Sequence, residues 1–181
     1  MEGTERPSHN VRPATRKLAV CALLAAVGAV LGIVSLPLPA VSAAGYSLKI
    51  GITLLPVLLA AALYGPVYGG MVGLIVDLLP ALLAPKGPLV PWFTLVGALF
   101  GVIPGLFFMK GQALTPKRLL LAIGTGQLLC SVALNSLLLM WLYGMPPQIV
   151  YVRLLNQAVM IPAYTIITYY VAKLLKRAGV A

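Results

Sequence analysis

The chain has 181 residues, of which 61% are apolar and only 9% charged, and it carries a formal net charge of +10. A water-soluble domain cannot hide that much apolar side chain in one core, so lipid is the expected solvent for most of the molecule. The excess of base does not point to nucleic acid, because the Lys and Arg residues stand at the ends of apolar runs rather than in a solvated block interleaved with aromatics.

Residues 1–17 read as a polar, basic tail containing Pro7, Pro13 and the lone histidine, His9, too hydrophilic to span a bilayer. A single membrane domain is expected over residues 18–176, with six spans at 18–36, 50–64, 67–83, 92–109, 119–143 and 149–172. The fold class is therefore an all-α integral membrane protein. Spans two and three are short for a bilayer and are joined only by Gly65 and Pro66, which suits a tight helical hairpin; one broken segment is the alternative. The basic stretch, apolar run and small residues Val41, Ser42 and Ala43 follow in the order of a cleavable signal peptide. The apolar run is longer than the roughly 7–15 residues of a signal core, so the first span is expected to stay as a membrane helix.

The distribution of base sets the orientation. With the N-terminus in the cytoplasm, Arg6, Arg12, Arg16, Lys17, Lys110, Lys117, Arg118, Lys173, Lys176 and Arg177 all fall inside, and only Lys49, Lys86 and Arg153 lie toward the outer face. Ten against three supports six spans in a cell membrane with both termini cytoplasmic. Cys21 and Cys130, in the first and fifth spans, have no second Cys or His at metal-ligand spacing and read as small core residues; no metal site or cofactor is expected.

Polar side chains inside a membrane are costly unless they meet a cavity or a partner, and here they are few. Asp77 is the one acid outside the N-terminal tail and lies deep in the third span. On the sixth span Arg153, Asn156, Gln157, Met160 and Tyr164 recur on one helical face, which should line the interior, and Asn135 sits at an overlapping level on the fifth. A buried Asp77–Arg153 ion pair that fixes packing is one reading of this set, and a ligand cavity is the other. Trp92, Phe93, Trp141 and Tyr143 gather at the outer mouth with the loop 44–49, Lys49 and Lys86. Aromatics at that level also form interfacial belts. Cations beside aromatic faces with one deeper carboxylate suit a flat, hydrogen-bonding ring that carries an anionic tail.

In the first span Ala22, Ala25, Ala26, Gly28, Ala29 and Gly32 repeat small residues four apart, as Ala22/Ala26 and Ala25/Ala29, a surface that another helix can approach closely, within this chain or from a partner. No G-x-x-x-x-G-K-[ST] or H-E-x-x-H run occurs and no histidine lies in a span, so neither a P-loop nor a hydrolase base is available and no enzyme is expected. A proton-coupled carrier relying on Asp77 would be small for its class and has no evident inverted repeat.

The stretch KIGITLLPVLLAAALYGPVYGGMVGLIVDLLPALL over residues 49–83 resembles the substrate-binding S components of energy-coupling-factor (ECF) vitamin transporters. FTLVGALFGVIPGLFF over 93–108 and LNSLLLMWLYGMPP over 134–147 are similar to the folate-specific branch of that family, and the likeness spans residues 16–176. The resemblance implies a six-helix membrane subunit that captures a folate-like vitamin outside and docks on one transmembrane coupling protein and two ATPases. It further implies that the subunit topples in the membrane to deliver its ligand. The family's A-x-x-x-A docking motif falls on Ala22 and Ala26. An S component for riboflavin or thiamine, or a structural six-helix scaffold, remain the alternatives. Lys49, Lys86 and Arg153 are expected at the anionic end of the ligand, and Asp77 at an aminopyrimidine edge whose parallel donors match carboxylate oxygens.

Overall fold

The computed structural model describes residues 13–34, 52–83, 91–109, 114–144 and 146–179. The described residues form α1 (Pro13–Val34), α2 (Leu54–Tyr64), α3 (Pro66–Leu83), α4 (Pro91–Leu106), α5 (Pro116–Gln127), a π-helical segment (Leu128–Leu134), α6 (Asn135–Tyr143) and α7 (Ile149–Arg177). Because α5, the π segment and α6 run on without a break, the eight pieces make six helical rods, as the apolar runs predict.

Four helical stretches are long and apolar enough to cross a bilayer alone, and the two shorter ones are α2 and α4. Of the two spans expected to be short, the third is a full one. The second is short as expected, and the other short rod is α4, which stops at Leu106. There the amides of Phe107 and Phe108 turn back to the carbonyls of Pro104 and Gly105 and tighten the last turn. At the chain's ends the helices run past the apolar spans. α1 takes in residues 13–17, starting on a proline whose missing N–H costs nothing at a helix start. α7 continues to Arg177, where Lys176 and Arg177 face the negative end of the helix dipole.

The shortest rod, α2, is the central one. At 11 residues it is about 16 Å long, well short of a roughly 30 Å hydrocarbon core. Residues Pro56 through Ala62 are all buried, which is why its sequence is apolar on every side. One side, Leu58 and Ala62, packs with Phe108, Leu119, Ala122, Ile123 and Tyr164. The other, Val57 and Ala60, packs with Cys21, Ala25, Val72 and Val76. Both cysteines are free and buried, as expected of core packers.

The ends of the bundle follow from its contacts. Arg16 donates from its guanidinium to the Gly179 carbonyl, so the start of α1 and the end of α7 share one end. At the opposite end a methyl on Gly32 would stand 2.6 Å from Pro80 and 3.7 Å from Thr53, which brings the end of α1, the end of α3 and the start of α2 together. Arg16, Lys17, Lys117, Arg118, Lys173, Lys176 and Arg177 mark the first end; Arg153 is the one described base toward the second.

Between α3 and α4 the backbones touch. Gly97, Gly101 and Gly105 repeat four apart on α4 and meet Gly73, Gly69 and Pro66, an approach that only residues without a Cβ permit.

Candidate functional site

The polar groups of the spans collect toward the second end. At 1.5 Å per residue, Asp77 lies about 9 Å from the end of α3, Arg153 about 6 Å and Gln157 about 12 Å from the start of α7. Arg153, Asn156, Gln157, Met160 and Tyr164 all lie on the inward side of α7: Gln157 and Tyr164 are buried and the other three half-buried, while Leu154, Leu155 and Val159 face outward.

The π segment organises this face. In an α-helix the Asn135 amide would close on the Ser131 carbonyl, four residues back; here it donates to the Cys130 carbonyl, five back. The register change leaves the Ser131 carbonyl to another donor. Arg153 supplies it, with Nη1 donating to Ser131 O at 2.9 Å. One turn further along α7, Gln157 Nε2 donates to Ser131 Oγ at 2.8 Å. A single serine thus pins two of the expected ligand residues to the fifth rod.

Two atoms of the cluster remain unmet. Gln157 Oε1 and Ser136 Oγ are buried without a hydrogen-bond partner among the described residues. Their residues are only 6% and 1% exposed. Unpaired polar atoms are rare in protein interiors and rarer where lipid supplies no water, so each of the two has room for a further partner, as does Thr168 Oγ1, the third such atom among the described residues.

Asp77 belongs to the neighbouring seam. It is half-buried on α3, and the Thr94 hydroxyl of α4 donates to its carboxylate. A methyl on Gly97 would come within 2.8 Å of Asp77 Cβ, so the glycine is what lets α4 lie against this acid. The expected alternative of an Asp77–Arg153 packing pair does not describe the described residues, since each group is held by a different partner, Thr94 and the Ser131 carbonyl.

The remaining expected residues divide. Asn135 and Asn156 are half-buried beside the π segment and Gln157, and Phe93 is half-buried at the start of α4. Trp92 and Trp141 are 53% and 72% exposed, an exposure that fits an interfacial belt better than a stacking wall in a cavity. Lys49, Lys86 and the loop 44–49 lie outside the described residues, as does the side chain of Tyr143. On α1, Ala22 and Ala26 are exposed, whereas Ala25 and Ala29 are buried. Ala25 packs with Val72 and Val76, so the smallness of the second pair serves the contact with α3.

Thr94, Ser131 and Ser136 escape a sequence reading because a hydroxyl in a span can bond its own helix and carries no charge to single it out. The one available signal is the spacing of Ser131 and Ser136. Five residues apart, they fall on successive turns in a π register and on different faces in an α-helix. No group of three His, Cys, Asp or Glu side chains able to hold a metal occurs among the described residues.

The chain can now be set beside known proteins. The folate transporter FolT of Clostridium novyi (strain NT) is 34% identical over 131 residues, covering 72% of this chain and 76% of that protein. A crystal structure of FolT bound with folic acid superposes with a TM-score of 0.71 at 28% identity, covering 86% of this chain and 92% of that one. A model of the family "ECF transporter, substrate-specific component" matches residues 16–181. The bundle, its membrane-length helices and this match together place the chain in the family of substrate-specific components of ECF transporters, membrane subunits of transport and not enzymes.

Proposed function

We propose that this subunit captures a folate-like vitamin at the end of the bundle opposite the termini and hands it to an ECF module. In that module one transmembrane coupling protein and two ATPases supply the energy. The observation that carries the reading is the fit, over 86% of the chain, to a FolT structure that holds folic acid. The inward polar face of α7 supplies groups of the right chemistry for such a ligand.

Both termini are taken as cytoplasmic. Seven described bases gather at the terminal end against one at the other, the asymmetry the positive-inside rule associates with the cytoplasm. The vitamin then enters from outside, past Trp92, Phe93, Trp141 and Tyr143. Its anionic tail meets Arg153, with Lys49 and Lys86 as further cations, and its ring descends toward Asn135, Asn156, Gln157 and Asp77. Asp77, already taking the Thr94 hydroxyl, has acceptor lone pairs left for an exocyclic amine. The coupling partner packs on the outward face of α1 at Ala22 and Ala26, where small exposed side chains admit a helix closely.

Calorimetry with folic acid, riboflavin and thiamine tests the substrate, and Arg153→Ala tests the site. Folic acid is expected to bind and Arg153→Ala to weaken it about tenfold to a hundredfold, the equivalent of one charge-assisted contact of roughly 1.5–3 kcal/mol. Tight binding of riboflavin or thiamine without folic acid refutes the folate reading, and an Arg153→Ala variant that binds like the parent removes the arginine from the site.

A further inference from the structure

We infer that the terminal end of the bundle carries a site for an anionic phospholipid headgroup, made by Arg16 and Lys17 of α1 with Lys173, Lys176 and Arg177 of α7. The site is separate from the vitamin's and does not depend on which vitamin is bound.

Two helices bring these five bases together. The Arg16 guanidinium donates to the carbonyl of Gly179, just past the end of α7, and so clasps the start of α1 to it. Lys17 adjoins the clasp on one side. On the other, Lys173, Lys176 and Arg177 approach it at i, i+3 and i+4, a spacing that puts them on one helical face. Lys173 lies over the ring of Tyr169, 5.7 Å from its centre, within the reach of a cation–π contact that holds this base against the helix.

Like charges this close repel, and the protein supplies little to oppose them. Asp77, the one acid among the described residues, lies toward the other end. Glu2 and Glu5 are matched within the tail by Arg6 and Arg12. The negative end of the α7 dipole amounts to about half an elementary charge against five. The countercharge therefore comes from outside, and the neighbours of the bases say from where. Leu18, Tyr170 and Leu174 are exposed and alternate in sequence with the basic residues. Apolar side chains for the acyl chains, bordered by cations whose long stems carry charge up to the headgroups, form the arrangement that holds a lipid phosphate. An acidic protein segment or a free anion would match the charge but leave the apolar band without a role.

Lys117 on α5 provides the comparison. A methyl on Gly124 would stand 3.9 Å from Ile161 Cγ2, so those two residues are level. Counting from them toward the terminal end, Lys117 is level with Thr168 and about 12 Å short of Lys176. It is exposed and carries the same charge, but it stands outside the clasp.

The test is native mass spectrometry of the full chain in detergent with dioleoyl phosphatidylglycerol and dioleoyl phosphatidylcholine, whose acyl chains are identical. The parent is expected to bind the anionic lipid at least about tenfold more tightly. A base at a charged lipid surface is worth roughly fivefold in binding. Lys176→Gln should therefore cut the preference about fivefold, Lys176→Gln/Arg177→Gln about tenfold or more, and Lys117→Gln less than about twofold. All three variants replace exposed side chains, so their helicity should match the parent's. Equal binding of the two lipids overturns the inference. So does an equal loss in Lys176→Gln and Lys117→Gln, which would make net charge and not the clasp responsible. Inorganic phosphate that displaces the lipid better than chloride at the same ionic strength would assign the bases to a free anion and overturn the lipid. A double variant that keeps the parent's lipid preference overturns the site as well, and if it no longer copurifies with the ECF module the bases belong to a protein partner.

Discussion

The seam between α3 and α4 makes the most quantitative prediction. A methyl placed on Gly101 would fall on the Gly69 carbonyl and 2.8 Å from the Gly70 amide nitrogen. Ordinary contacts between heavy atoms lie near 3.5–4.0 Å, so Gly101→Ala must part the two backbones by about 1 Å, a gap that forfeits roughly a quarter to a half of each dispersion well. If the crossing holds as many atom pairs as one buried leucine, about 40–60 at roughly 0.1–0.2 kcal/mol each, the loss is about 1–6 kcal/mol. Measured overpacking costs of about 1–3 kcal/mol fall in the same range. Gly124 is the control, because the nearest atom to a methyl there is Ile161 Cγ2 at 3.9 Å. Gly124→Ala should be neutral or stabilising by up to about 1 kcal/mol, the helical preference of alanine over glycine. Unfolding in mixed micelles with increasing SDS, followed by tryptophan fluorescence, would compare the three proteins. Gly101→Ala unfolding at the parent's SDS fraction, or both glycine variants shifting alike, would refute the argument that backbone contact sets this crossing.

Two further outcomes concern function. Asp77→Asn keeps the volume but loses the charge, so it should fold normally and bind folic acid at least about tenfold more weakly, about 1.4 kcal/mol; a folded variant with the parent's affinity would take Asp77 out of the site, and one that does not fold would make it structural. Ala22→Trp/Ala26→Trp changes two exposed side chains, so ligand binding should persist while copurification with the coupling module and uptake are lost. Uptake at the parent's level would place the docking surface elsewhere.

Much of the architecture was legible because bilayer solvation acts on single residues. Each span must be apolar for its whole length, and the charges are pushed to the ends, so the six rods and the sharing of one end by both termini can be read from hydropathy and base alone. The inward face of α7 was legible for a related reason: Arg153, Asn156, Gln157, Met160 and Tyr164 repeat at helical spacing, and a helix in lipid turns its polar side away from the tails.

What the sequence could not fix was which polar group meets which. Asp77 and Arg153 share a level, and opposite charges there suggest a pair, yet the choice depends on rotation and spacing of whole helices. Gly97 brings α4 and its Thr94 against Asp77, and a five-residue turn offers the Ser131 carbonyl to Arg153. The same holds on α1, where Ala22/Ala26 and Ala25/Ala29 are indistinguishable as patterns, and only the position of α3 buries one pair and leaves the other exposed. Composition and periodicity report each residue's solvent, a local property of one helix. Partners are set by helix rotation and backbone approach, which depend on the packing of all the rods together.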